Sequence, residues 1–377
     1  MTTMSEKKDS KSLPSQALVC VDLFAGAGGF SLAAMQAGFK VAAAVELNAH
    51  ACKTYKKNIA DAHGVSLYEG DILQFSPASI KALDIGVDKQ CDLLLGGPPC
   101  QGFSVHRIND AGVDDPRNQL ILKYFEFVKT IQPKVFLMEN VPGMLWERHR
   151  SFLDTFYSRA KAAKYKVLPP VEIDARDYGV PQRRKRVFIL GMRNDVELAI
   201  DWPPRPTHGD AKALEQDENL KPWLNASSVF QMSDMASDSN NVHMNHSAAL
   251  IEVFKATPKN GGSRYQSGRV LKCHEEHDGH KDVYGRIDPL KPGPTMTTAC
   301  INPSKGRFVH PTENHGITVR QAARFQTFPD SFVFEGGLIA SGVQVGNAVP
   351  VKLGEVLLAA IKEGLISSPR ETKTRLK

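Results

Sequence analysis

The 377-residue chain is as informative in what it lacks as in what it carries. None of its six cysteines, Cys20, Cys52, Cys91, Cys100, Cys273 and Cys300, belongs to a C-x-x-C pair, so neither a disulfide framework nor a four-thiolate zinc site is expected. No uninterrupted apolar run reaches membrane-spanning length, since even the stretch from Val349 to Ile361 is broken by Lys352 and Glu355. Residues 1–16 carry Lys7, Lys8 and Lys11, but no apolar core or small-residue cleavage site follows, so no export signal is read and a soluble, cytoplasmic protein is expected. Internal repeats are absent. The formal charge of +6 agrees with a polyanionic partner without requiring one.

What is present is an alternation of apolar runs and helical patterns. LVCVDLF (Leu18 to Phe24) suits a buried strand and ends in the glycines Gly26, Gly28 and Gly29. A helix from Phe30 to Ala37 then stops at Gly38, and a second strand runs from Val41 to Leu47. The grammar recurs in CDLLL (Cys91 to Leu95), a helix from Leu120 to Ile131, KVFLM (Lys134 to Met138) and RVFILGM (Arg186 to Met192). Such alternation predicts an α/β fold with a largely parallel sheet covered on both faces, whose ligands gather beyond the carboxyl ends of the strands. From 194 to 315 the texture turns loop-rich, with Trp202 and Trp223, before helical patterning returns at Thr318–Phe325 and Val349–Gly364. We therefore expect tails at 1–16 and 367–377, a first domain at 17–193 completed by a return segment at 316–366, and a smaller second domain at 194–315.

Several residues suggest chemistry. Glycines in DLFAGAGG let a ligand approach the backbone, and Glu46 at the end of the next strand can accept from both ribose hydroxyls, which points to an adenosine-containing cofactor. GDI supplies Asp71 for an adenine amino group and Ile72 for its ring. In GGPPCQGFS, Pro98 and Pro99 stiffen the chain after a strand and present Cys100 as a nucleophile. Glu139, closing the apolar strand KVFLM, is expected to have a partner or a task, because an unpaired carboxylate is costly there.

DLFAGAGGFS, GDI, GGPPCQGFS, ENV, QRRKR, RQAARFQTFPD and QVGNAVP together resemble, in order, the motifs of the DNA cytosine-5 methyltransferases of restriction-modification type, over about residues 19–361. The resemblance implies the Rossmann-like fold of S-adenosylmethionine-dependent methyltransferases, with a loop-rich target-recognition domain. It implies that Cys100 adds to carbon 6 of a flipped cytosine while Glu139 protonates ring nitrogen 3, that Arg186 binds the base's carbonyl oxygen, and that Arg184 orders the surroundings of the thiol. S-adenosylmethionine would be held by Phe24, Gly26, Gly28, Gly29, Glu46, Asp71, Ile72, Pro98, Asn347 and Val349, with no metal. Double-stranded DNA would meet Gln101, Ser104, His106 and Arg107 of a mobile loop and Thr295 at a phosphate. Arg264, Arg269, Lys272 and Lys281 read as surface charges, and the spacing of Cys273, His274, His277 and His280 fits no common zinc site. A cognate endonuclease encoded nearby and a monomeric enzyme complete the expectation.

Three rivals are weaker. A transfer-RNA cytosine-5 methyltransferase would carry a Cys-Phe-Thr motif, which is absent. A nicotinamide-dependent oxidoreductase leaves Cys100 and Glu139 unexplained. A non-catalytic relative would not need Cys100, Glu139 and Arg186 intact.

Overall fold

The computed structural model describes residues 17–81, 90–99, 118–232, 237–268 and 282–367. Its centre is a sheet of eight strands: β1 (Val19–Leu23), β2 (Lys40–Glu46), β3 (Ser66–Glu69), β4 (Leu93–Gly96), β5 (Val135–Asn140), β6 (Tyr165–Val167), β7 (Val171–Asp174) and β8 (Lys185–Arg193). Their order is β3-β2-β1-β4-β5-β8-β6, with β7 also pairing β8. The first five are mutually parallel, as the alternation predicts. RVFILGM joins them as β8 but runs antiparallel to β5, β6 and β7. That reversal matters for the site, because it brings the start of β8 to the edge where β1, β4 and β5 end.

All five residues of β1 are buried, as expected for a parallel strand covered on both faces. Cys20, Leu95 and Leu137 face one apolar layer with Phe30, whereas Val21, Leu94 and Phe136 face the other with Tyr124, Phe125 and Phe156. Helix α1 (Gly29–Gln36) follows the glycine turn. Helix α2 (Ala49–Tyr55) begins where the Asn48 side chain accepts from the amides of His50 and Ala51. Helices α3 (Asn118–Ile131) and α4 (Arg150–Ala162) cover the second face.

The loop-rich stretch contributes Ala226, Val229, Ile287, Met296 and Cys300 to the apolar layer that Cys20 of β1 faces. It contains α5 (Ala248–Ala256). Arg264, expected at the surface, is fully buried, with its guanidinium 4.5 Å from the Tyr265 ring. Stacking on a ring and a buried stem are open to arginine in a way that sequence texture does not reveal. After it come α6 (Val319–Phe325), started by a reciprocal Thr318–Gln321 capping box, α7 (Gly337–Asn347) and α8 (Val351–Ser367). Helix α8 packs on α1 so closely that a Cβ at Gly354 would lie 2.7 Å from that of Ala33.

Between α6 and α7 the chain is gripped from two sides. Asn58 donates to the Val333 carbonyl (2.8 Å) and accepts from its amide (2.8 Å), while Asn240 does the same for Phe334 at 2.9 and 2.7 Å. One asparagine follows α2 and the other lies in the loop-rich stretch, so a short extended segment ties the two together. No helix among the described residues is long and apolar enough to cross a membrane.

Candidate active site

The connections from β1 lead to β2 on one side and, later, to β4 on the other, which opens a crevice at the strand ends. Beyond β1 the backbone turns through left-handed conformations at Phe24 (φ 61°), Gly26 (φ 56°) and Gly28 (φ 99°). A Cβ at Gly28 would collide with Ile59 and press on Tyr55, whereas one at Gly26 would meet nothing within 4 Å. The turn is thus packed from behind and open at Gly26.

Glu46 borders that open side. Its carboxylate accepts from the Gly26 amide (2.8 Å) and the Asn48 amide (2.6 Å), one oxygen each, leaving lone pairs for further donors such as ribose hydroxyls. Its own carbonyl accepts from the Gly70 amide (2.8 Å), which brings GDI alongside. Asp71 caps a short 3-10 turn through the Leu73 amide (2.9 Å), and Ile72 is buried against the second core layer. Leu47, not singled out from sequence, stands 67% exposed beside Glu46 and offers an apolar shelf. These residues fit an adenosine group.

The return segment closes the turn from above. A Cβ at Gly29 would lie 2.9 Å from the Val349 carbonyl oxygen and 3.3 Å from the Ala348 Cβ, so the backbones touch only because Gly29 has no side chain. Val349 is buried and Asn347 exposed.

Glu139 lies within β5 rather than past its end, and half-buried Arg186 meets it from the second position of antiparallel β8: the Arg186 Nε lies 2.9 Å from Glu139 Oε1. A second guanidinium nitrogen donates to the Lys185 carbonyl (2.7 Å). Burial pushes the Arg186 guanidinium down, and Glu139 pulls it back up. A Cβ at Gly97 would be 3.4 Å from Glu139 Oε2, so the segment leading into Pro98 and Pro99 lies against this carboxylate. Pro98 is buried. The neighbouring Asn140 is buried too, and its Nδ2 has no acceptor among the described residues.

Arg184 sits deeper. It is 1% exposed and donates to three backbone carbonyls, of Met296 (2.7 Å), Gly346 (2.9 Å) and Ala348 (3.0 Å). Burial, then Arg186, push its guanidinium well down. Gln182, not anticipated, joins the lattice: its amide nitrogen donates to the Phe325 carbonyl and to Gln326 Oε1, and its oxygen accepts from the Met296 amide. Gln326 in turn donates to the carbonyls of Val345 (2.6 Å) and Ala348 (3.0 Å). The strand bearing Arg186 is thereby fastened to the segment that presses on Gly29.

The Thr295 hydroxyl donates to the Arg183 carbonyl (2.6 Å), which engages its one proton. Cys100, Gln101, Ser104, His106 and Arg107 lie outside the described residues, as do Arg269, Lys272, Lys281 and the cluster Cys273, His274, His277 and His280. The described cysteines, Cys20, Cys52, Cys91 and Cys300, are all buried. Burial pushes the thiols of Cys52 and Cys300 up to about 11 and about 12, and those of Cys20 and Cys91 up as well, which disfavours the reactive thiolate.

Comparison with known proteins gives a consistent picture. The family described as C-5 cytosine-specific DNA methylase matches residues 18–363. The Type II methyltransferase M1.HphI of Haemophilus parahaemolyticus is 34% identical over 345 residues, covering 91% of this chain and 86% of that one. A crystal structure described as a DNA modification methyltransferase encoded within an Escherichia coli prophage is 26% identical, with a TM-score of 0.71 over 93% of this chain and 100% of that one. DNMT2 of Spodoptera frugiperda shares the fold at 17% identity, with a TM-score of 0.61 over 92% of this chain and 100% of that one.

Proposed function

The chain belongs to the C-5 cytosine-specific DNA methylases, and from that premise we propose that it methylates a cytosine within a specific double-stranded DNA sequence through a base-flipped, covalent intermediate. Its reaction is that of an S-adenosylmethionine-dependent DNA cytosine-5-methyltransferase of the restriction-modification type. The observation that carries the mechanistic reading is the Arg186–Glu139 pair, 2.9 Å apart on the strand edge, with Gly97 of the GGPPC segment against the same carboxylate.

A cytosine inside a duplex is out of reach, so it must swing out at a cost of a few kcal/mol in stacking and pairing. With the base in the crevice, Glu139 holds a proton at ring nitrogen 3 and Arg186 donates to the carbonyl oxygen. The Cys100 thiolate adds to carbon 6, the ring electrons move to carbon 5, and nitrogen 3 takes up the proton. Bound S-adenosylmethionine supplies the methyl group that carbon 5 then receives. Water acts as the base that removes the carbon-5 proton, the thiolate leaves as the double bond reforms, and nitrogen 3 returns its proton to Glu139. Arg184 acts as a positioning residue, because its three carbonyl partners hold β8 in register with the return segment.

Phe24, Gly26, Gly28, Gly29, Glu46, Asp71, Ile72, Pro98, Asn347 and Val349 form the cofactor pocket. Residues 194–315 read the target sequence. Gln101, Ser104, His106 and Arg107 enter the groove beside the vacated base, and Thr295 reaches a phosphate once its hydroxyl leaves the Arg183 carbonyl. A monomeric enzyme and a cognate endonuclease encoded nearby complete the proposal. Transfer RNA is the disfavoured substrate.

Bisulfite sequencing of DNA from cells expressing the chain tests the whole reading. Protection of cytosines in one short sequence is the expected result. Unprotected DNA together with methylated transfer RNA from the same cells would overturn it.

A further inference from the structure

Asp22 lies in β1 beneath the glycine turn, and nothing in the mechanism above uses it. Its side chain is buried, at 1% exposure. The Ser31 hydroxyl donates to it (2.6 Å), and the Tyr55 hydroxyl donates to Ser31 (2.8 Å). Ser31 stands in the first turn of α1, one helical turn from Gly28, so this carboxyl lies within about 10 Å of the turn that the cofactor occupies. The titratable groups bearing on it are Glu46 of β2, Cys20 of β1 itself, Tyr55 of α2 and Tyr124 of α3, none of them cationic.

Resting on the cofactor pocket described above, we propose that Asp22 makes that pocket favour the positively charged sulfonium cofactor over the neutral thioether left after methyl transfer. This carboxyl has a hydroxyl donor and, among the described residues, no partner of opposite charge. Burial pushes it up to about 7, Ser31 draws it part of the way back, and Glu46 raises it again. Both protonation states are therefore accessible near neutrality. A unit positive charge within about 10 Å, at an effective dielectric near 20, favours the ionised form by roughly tenfold. Binding of the sulfonium expels the Asp22 proton to solvent, and the bound anion holds the cation. Once the methyl group has gone, the positive charge on sulfur has gone with it. The carboxyl then recovers a proton from solvent, and the product loses that attraction.

Isothermal titration calorimetry of S-adenosylmethionine and S-adenosylhomocysteine, in buffers of different ionisation enthalpy between pH 6 and 8.5, tests this without turnover. In the wild-type protein the preference for the sulfonium ligand should grow about fivefold across this range, with proton release specific to it. In Asp22→Asn the preference should be flat and the extra proton release absent, which also subtracts titration of the ligands' own amino groups. Ser31→Ala should keep the pH dependence but move it to higher pH, and it serves if Asp22→Asn does not fold. Identical proton release and pH dependence in wild type and Asp22→Asn, or in wild type and Ser31→Ala, would overturn the proposal. A Glu46→Gln control separates the two readings: if it binds both ligands as wild type does, the pocket assignment itself falls.

Discussion

Replacing Gly29 by alanine tests the contact that closes the glycine turn. The added methyl carbon would lie 2.9 Å from the Val349 carbonyl oxygen and 3.1 Å from the tip of the Phe328 ring. The oxygen cannot easily retreat, because the adjacent Ala348 carbonyl is held by both Arg184 and Gln326 at 3.0 Å. Overpacking of this kind costs about 1–3 kcal/mol. Gly29 is the first residue of its helix, so the better propensity of alanine, about 1 kcal/mol in a helix interior, returns only a fraction of this. The net loss is then about 1–2 kcal/mol, a fall of roughly 1–3 °C in Tm for a chain of this size. If the strain is relieved by withdrawal of residues 347–349, cofactor binding must restore them, and the Kd for S-adenosylmethionine should rise about 5–30-fold. Differential scanning fluorimetry and calorimetric titration measure the two quantities. A variant with unchanged Tm and unchanged Kd would show that the return segment does not press on the turn, and the reasoning fails.

Other outcomes follow from the same geometry. Cys100→Ser should abolish methyl transfer while DNA still binds in a gel-shift assay, and DNA with 5-fluorocytosine at the target should become trapped on Cys100 of the wild-type enzyme; peptide mapping of the adduct to another residue would dismiss the nucleophile. Glu139→Gln should slow turnover about 10²–10⁴-fold and cost about 1–3 kcal/mol by leaving half-buried Arg186 without its counterion. Single-turnover rates within tenfold of wild type would remove Glu139 from the chemistry. Arg184→Met should lose about 3 kcal/mol or more in urea denaturation, since three carbonyls lose a charged donor, and a loss below about 1 kcal/mol would contradict its positioning role. Burial lowers the pKa of both His246 and His315, so the unfolded chain binds more protons than the folded one and stability should drain away as pH falls below about 6.5. Replacing both by asparagine should flatten that slope relative to wild type, and an unaltered slope would refute the assignment.

Much of this architecture is legible in the residues themselves. LVCVDLF, the glycines after it and Glu46 announce a strand, a turn and a second strand end, because each depends on local backbone preference and burial. Other features are not local. RVFILGM reads equally well as a parallel or an antiparallel strand, and only pairing with β5 decides its direction. Helix α7 escapes notice because GLIASGVQVGN contains three glycines, and packing rather than propensity holds it; Gly342 lies against Ile301 and Gly346 against the backbone at Thr297. The motif QRRKR flags its arginines without distinguishing them. In the fold Arg183 is exposed, Arg184 grips carbonyls and Arg186 meets Glu139, a division of labour imposed by the pleat and by neighbours more than a hundred residues away. Glu46 and Glu139 stand out in the sequence because a carboxylate near a strand end is unusual; Gln182 and Asn58 do not, being ordinary polar residues until their partners are seen.

The packing of α8 on α1 has a consequence for biosynthesis. A ribosome makes the glycine turn first and the helix that seals it last, more than three hundred residues later. Throughout translation the apolar flank of α1 awaits a partner that does not yet exist, a state exposed to aggregation and to chaperone capture. A nascent polypeptide arrested before residue 349 should therefore neither bury that flank nor retain the nucleoside, which makes the enzyme's competence contingent on near-complete synthesis.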